Sequence, residues 1–204
     1  MSNKFWGLLN CPHDPNVLMR NLRVFANADH VVMCELGVER GYTSNRLVDV
    51  LKDLQVKKIE FYGVDNCSLQ MLDKVANIVN FEHEEMHFIR GDRNALEPLP
   101  MMDFIFVDAC HCAECVYLDG IAASKKVKIG GYMAFHDTSL LMQYPSATDQ
   151  KYWQHYESGE KTRPLGVVEG IVSGRSKWEG FWVLVDQSGD DLEWGGVRVY
   201  QRIK

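Results

Sequence analysis

Apolar residues in this chain gather into short, nearly unbroken runs separated by stretches of helical spacing. Val31, Val32 and Met33 open the first run (about 31–36), and IEFYGVD (59–65), MHFIRGD (86–92), FIFVD (104–108) and YMAFHD (132–137) follow it. Between the runs, Leu47, Val48 and Leu51 predict a helix over 44–54, with further helices expected over 68–80 and about 113–127. Ahead of the first run, Val17, Leu18, Leu22 and Phe25 predict a helix within 15–28, with Pro15 in its first turn, so 1–29 reads as a helical lead-in. Near-continuous apolar strands alternating with helices predict a parallel sheet covered on both faces. The Gly130–Gly131 pair is expected to form the turn into the fifth strand.

The alternation lapses over 138–165, where Tyr144, Tyr152, Trp153, His155 and Tyr156 punctuate a polar stretch. A connection of that length in a compact domain reads as a lid or binding insertion. PLGVVEGIV (164–172) then reads as helix, and FWVLVD (181–186) and VRVYQRI (197–203), joined by SGDDLEWGG, read as paired strands. The fold class is therefore α/β: one domain over 1–204 with a doubly wound, mostly parallel sheet and a C-terminal antiparallel hairpin.

Composition narrows the partners. A chain of 204 residues is long enough to bury roughly 70% of the surface its unfolded form exposes. With 46% hydrophobic and 25% charged residues it has the make-up of a soluble globular protein. A net charge of −6, without a basic run, argues against a nucleic-acid partner. No apolar stretch is long enough to span a membrane, and MSNKFWGLLNCPHD lacks the apolar core of a signal peptide, so a cytoplasmic address is expected. The six cysteines (11, 34, 67, 110, 112 and 115) fit that address as reduced thiols. A homo-oligomer is left open.

The chemistry starts at VVMCELGVERGYTS (31–44). A strand, a glycine turn and a helix amino end form a nucleotide-binding corner, because glycine lets a ligand approach the backbone and the helix start offers unpaired N–H groups. The Gly37-x-x-x-Gly41 spacing matches neither the dinucleotide nor the P-loop fingerprint. Glu35 would repel a phosphate but suits a cation such as the sulfonium or amino group of S-adenosylmethionine. Acids also mark the ends of the other strands, Asp65, Asp92, Asp108 and Asp137, at the edge of the sheet where such folds bind ligands. Asp65 follows the glycine turn by about 25 residues, the position of a carboxylate that holds two ribose hydroxyls; its alternative is to cap a helix starting near Ser68. Asp92 suits an adenine amine, or else forms an Asx turn.

A second cluster comprises Asp108, His111 and Glu114, with His136 and Asp137 from the next strand. Neighbouring strands lie about 4.8 Å apart, so Asp108, His136 and Asp137 could close on one cation. Two carboxylates suit Mg²⁺, and an imidazole also admits Mn²⁺ or Fe²⁺. His111, a turn on from Asp108, is then placed as general base for a substrate hydroxyl. The alternative is that His136 and Asp137 bond the following loop. The sulfurs of Cys110, Cys112 and Cys115 admit a zinc or redox reading. A second Cys-x-x-Cys is missing, however, and adjacent residues seldom all reach one ion, so small residues around a helix start are the preferred reading.

Taken together, ELGVERGYTS, GVD, GD, FVDACHCAE, IGGYMAFHDT and PLGVVEGI resemble the class I S-adenosylmethionine-dependent methyltransferases over roughly 30–140. More narrowly they are similar to the small-molecule O-methyltransferase branch that includes cephalosporin-hydroxylase-like proteins. The resemblance implies a seven-stranded Rossmann-like sheet ending in the hairpin. It also implies that Glu35, Gly37, Gly41, Tyr42 and Thr43 hold the methionine part, Asp65 the ribose, and Asp92 and Arg93 the adenine, with Asp108 beside the cofactor. Asp108, His136 and Asp137 fall on the family's magnesium positions and His111 on its base position. Two features depart from the pattern: His136 stands where an acid is common, and Cys110 and Cys112 replace polar residues. The expected activity is methyl transfer to an oxygen of a small-molecule acceptor, using S-adenosylmethionine with Mg²⁺ or Mn²⁺. A non-catalytic cofactor-binding scaffold, and a metal-dependent hydroxylase-like or hydrolytic enzyme, are the alternatives.

Overall fold

The computed structural model describes residues 14–66, 84–139, 153–154, 161–162, 166–188 and 195–204. Its centre is β1 (Val31–Leu36), paired in parallel with β2 (Ile59–Asp65) on one side and β4 (Met102–Val107) on the other. β3 (Glu84–Arg90) flanks β2, and β5 (Val127–His136) flanks β4, both parallel. A two-stranded ladder of β6 (Trp153–Gln154) and β7 (Lys161–Thr162) stands apart from the sheet. β8 (Trp182–Gln187) and β9 (Val197–Arg202) are antiparallel, and β9 lies between β5 and β8, giving the order β3-β2-β1-β4-β5-β9-β8. This is the seven-stranded, mostly parallel sheet with an antiparallel C-terminal pair.

Side chains alternate across a strand, and that parity sorts the core into two layers. Val31, Met33, Ile59, Phe61, Phe104, Phe106 and Ala134 pack beneath α1 (Asp14–Leu22) and α2 (Tyr42–Asp53), against Leu18, Leu22, Leu47 and Leu51. Val32, Cys34, Ile105, Val107, Met133 and Phe135 pack on the other face, against Val116 of α3 (Ala113–Ser124) and Ile171 of α4 (Val167–Gly174). Trp178 stacks on Phe135 at 5.6 Å between centroids and closes that second layer. Continuing the first parity by one or two positions beyond the apolar residues reaches Glu35, Asp65, Asp108 and His136. The same alternation that builds the core therefore delivers the candidate residues to one face.

Several expected boundaries shift. β5 starts at Val127 rather than 132, and Gly130–Gly131 sits inside it at a register irregularity instead of forming the turn into it. The turn reading fails because the strand continues through the pair, which lies in the irregularity between Val127 and Tyr132 where Gly130 takes φ +86°. β3 runs 84–90 rather than 86–92, and α1 gives way to a 3₁₀ turn at Arg23–Phe25. The expected helix over 68–80, the SGDDLEWGG connection, and most of 138–165, including Tyr144, Tyr152, His155 and Tyr156, lie outside the described residues. No described helix is long and apolar enough to cross a membrane.

Candidate active site

The turn after β1 is held from both sides. Gly37 N–H donates to the Val64 carbonyl at 2.8 Å, and Asp108 N–H donates to the Leu36 carbonyl at 2.8 Å. Gly37 has φ +96°, and a Cβ there would fall 2.2 Å from the Asp108 carbonyl oxygen, so only glycine permits this approach. Gly41, at φ +73°, turns the chain into α2, and as the residue capping that helix it has no side chain to bond its first N–H groups. Its first-turn N–H groups thus point to the carboxyl edge of the sheet, where an acceptor is favoured.

Glu35 is the central carboxyl of the site and is 1% exposed. The Ser44 hydroxyl, in the first turn of α2, donates to its Oε2. Burial pushes the carboxyl well above the usual range; the Ser44 bond and His136 pull it down, while Asp108 and Asp65 push it further up. Sequence reasoning missed Ser44, whose only signal was its place a few residues beyond Gly41. Asp65 Oδ2 accepts the N–H groups of Val38 at 2.6 Å and Glu39 at 2.7 Å. Its carboxylate therefore shapes the glycine turn.

Asp108, His111, His136 and Asp137 meet at the ends of β4 and β5. His111 Nε2 lies 3.1 Å from Asp137 Oδ2 and 3.4 Å from Asp108 Oδ1. His136 Nδ1 lies 3.0 Å from Asp108 Oδ1 and 3.7 Å from Asp137 Oδ2. Burial raises the Asp108 pKa, but the two imidazoles outweigh it and hold the carboxyl below the ordinary range. Burial likewise works against a charged His111, yet Asp108 and Asp137 prevail and raise its pKa. The donor atoms within 4.8 Å of one another are those of Asp108, His111 and Asp137. The expected set of Asp108, His136 and Asp137 converges as well, since His136 Nδ1 faces both carboxylates; that side chain is 5% exposed and tilted against Phe106. Asp137 reaches the cluster through a left-handed backbone, φ +53°, which Asp tolerates better than most residues. Two carboxylates and an imidazole at this spacing fit a hard divalent cation.

The remaining candidates are more dispersed. Asp92 caps the 3₁₀ turn Arg93–Leu96 by accepting the Asn94 N–H at 2.8 Å, the Asx arrangement. Arg93 pairs through Nε with Asp119 of α3, which is buried. Thr43 is buried at the start of α2 and Tyr42 is 48% exposed. On the α3 side of the loop, the Sγ atoms of Cys110, Cys112 and Cys115 also come within 4.8 Å of one another. The expectation that they merely occupy a helix start did not foresee this. α4 abuts the same loop, with Gly166 N–H donating to the His111 carbonyl at 2.8 Å.

A family model described as a methyltransferase domain matches residues 34–138. The chain belongs to the methyltransferase family. Its fold is that of the S-adenosylmethionine-dependent enzymes. An S-adenosylmethionine-dependent methyltransferase from Clostridium acetobutylicum superposes with a TM-score of 0.64 at 12% identity, covering 95% of this chain and 93% of that one. The O-methyltransferase TomG from Streptomyces achromogenes, solved with S-adenosylmethionine, gives 0.59 at 15% identity, covering 95% and 81%. The N-methyltransferase NodS from Bradyrhizobium japonicum gives 0.57 at 11% identity, covering 97% and 100%. These identities speak for the fold alone, and the superposable proteins act on both oxygen and nitrogen. No curated protein matches the sequence of this methyltransferase.

Proposed function

We propose that this methyltransferase moves the methyl group of S-adenosylmethionine to an oxygen of a small molecule, with a divalent cation held by Asp108 and Asp137. The observation that carries the reading is the convergence of Asp108, His111 and Asp137 beside the buried Glu35. Glu35, with the turn from Gly37 to Thr43, receives the cationic methionine part, and Asp65, at the end of β2 beside that turn, receives the ribose. Asp92 and Arg93 lie on the adenine side.

The acceptor oxygen attacks the methyl carbon, the carbon–sulfur bond breaks, and its electron pair returns to sulfur, leaving S-adenosylhomocysteine. His111, facing both carboxylates, takes the acceptor's proton, and His136 keeps Asp108 in place. When bound, a hard cation supplies charge stabilisation for a developing alkoxide. An amine acceptor has less use for this, and that favours oxygen. Most of the remaining rate comes from holding acceptor and methyl in line.

The test is calorimetric titration with S-adenosylhomocysteine, with and without magnesium, using NAD as the control. Binding of the homocysteine compound alone supports the cofactor assignment, and a magnesium effect supports the carboxylate pair. Preference for NAD, or binding of neither, refutes it. His111→Ala should keep cofactor affinity and the magnesium effect while losing turnover; loss of the magnesium effect would make His111 a ligand rather than the base.

A further inference from the structure

The loop from Asp108 into α3 carries two sets of side chains that go opposite ways. Asp108 and His111 meet Asp137, whereas Cys110, Cys112 and Cys115 gather among themselves. Cys110 and Cys112 are half-buried, so they are not core filler in the manner of the fully buried Cys34. Cys115 N–H donates to Cys112 Sγ at 3.3 Å. That bond and the start of the twelve-residue α3 hold Cys112 and Cys115 on one side of the loop.

We propose that Cys110, Cys112 and Cys115 form a binding site for a soft cation, Zn²⁺ by chemistry, which fastens the loop bearing Asp108 and His111 to the start of α3. With Zn–S bonds near 2.3 Å, tetrahedral coordination sets sulfurs about 3.8 Å apart. Sulfurs already within 4.8 Å of one another need close by no more than roughly 1 Å to meet that geometry. Three thiolates select a soft ion over Mg²⁺, so the site is chemically distinct from the carboxylate pair next to it. Three sulfurs leave a fourth corner for water or another donor. His111 is flanked by two of the ligands, so the ion would restrain the backbone on both sides of the proposed base.

The experiment uses the full chain, reduced and stripped of metal, titrated with Co²⁺ in excess Mg²⁺. Expected is one equivalent producing thiolate-to-cobalt charge-transfer absorption with tetrahedral d–d bands, displaced one for one by Zn²⁺. Cys110→Ser and Cys115→Ser should each remove the charge-transfer band, and Cys11→Ser and Cys67→Ser should retain it. On the wild-type protein, which needs no variant to fold, Zn²⁺ should protect Cys110, Cys112 and Cys115 from alkylation as mapped by mass spectrometry. Absence of the band in reduced protein overturns the proposal, as does a band that survives the triple serine variant. Formation of a Cys112–Cys115 disulfide in air without any metal uptake overturns it in favour of a redox pair. Titration with S-adenosylhomocysteine reads the cofactor corner separately, so failure of one reading is distinguishable from failure of the other.

Discussion

Replacing Glu35 with Gln separates what a buried carboxyl costs from what it does. The wild-type side chain is 1% exposed and its pKa is pushed well above the ordinary 4.5 of a glutamate, chiefly by burial. In the unfolded chain the group ionises normally, so between 4.5 and the raised folded value the folded state binds more protons. Stability from this group is therefore fully present below the unfolded value and is lost as pH rises towards the folded one. Each pH unit in that window costs about 1.4 kcal/mol. Gln keeps an acceptor for the Ser44 hydroxyl and does not titrate. Its advantage over Glu should grow through that window and become flat once the folded value is passed. Cofactor binding should move the other way. Losing one charge-assisted bond, worth about 1.5–3 kcal/mol, weakens S-adenosylhomocysteine roughly 10- to 150-fold. Urea unfolding across a pH series and calorimetric titration of both proteins measure the two effects. A Gln variant that is less stable at every pH and binds normally would show that Glu35 is a structural anchor for Ser44, and the cofactor reasoning would fall.

The Gly37→Ala substitution places a methyl 2.2 Å from the Asp108 carbonyl in a left-handed backbone. A loss of about 3 kcal/mol or more, read as a Tm drop of roughly 6–12 °C, is expected; an unchanged Tm would mean the two strand ends can separate freely. Asp65→Ala removes the acceptor of both turn amides and should abolish S-adenosylhomocysteine binding, at a stability cost of about 1–3 kcal/mol. Retained affinity by calorimetry would remove Asp65 from the cofactor site. Arg93→Met leaves Asp119 without the guanidinium in a buried place and should cost about 3–5 kcal/mol by urea unfolding. Arg93→Met combined with Asp119→Leu should recover part of that cost, and no recovery would count against charge burial as the cause.

The sheet was legible because its period is simple. Five apolar runs with acids at their ends predicted the parallel strands and a row of Glu35, Asp65, Asp92, Asp108 and Asp137, of which Asp92 instead caps the 3₁₀ turn after β3. Gly37 and Gly41 were legible for the same reason, since a strand–turn–helix corner leaves few residues able to adopt positive φ. The close approach of His111 to Asp137 was not. It depends on the left-handed turn at Asp137 and on the path of 108–112, neither of which leaves a periodic trace. The thiol trio was hidden similarly: sequence adjacency suggested that the sulfurs diverge, but at the entry to α3 all three lie within 4.8 Å of one another. The Gly130–Gly131 pair misled because a bulge and a turn use the same residues.

The position of β9 has a consequence for biosynthesis. This strand follows every other in the chain yet is interior to the sheet, with Val197 and Val199 fully buried. The Arg202 guanidinium donates to the carbonyls of Ser124 and Val127, tying β9 to the junction of α3 and β5. As the ribosome extrudes the chain, β5 must wait with one edge and part of its apolar face bare until β9 arrives. For that interval the nascent polypeptide presents an open strand edge of the kind that recruits chaperones or pairs with a neighbouring copy. Translation speed through the stretch between β5 and β9 thus bears on yield, independently of how stable the finished molecule is.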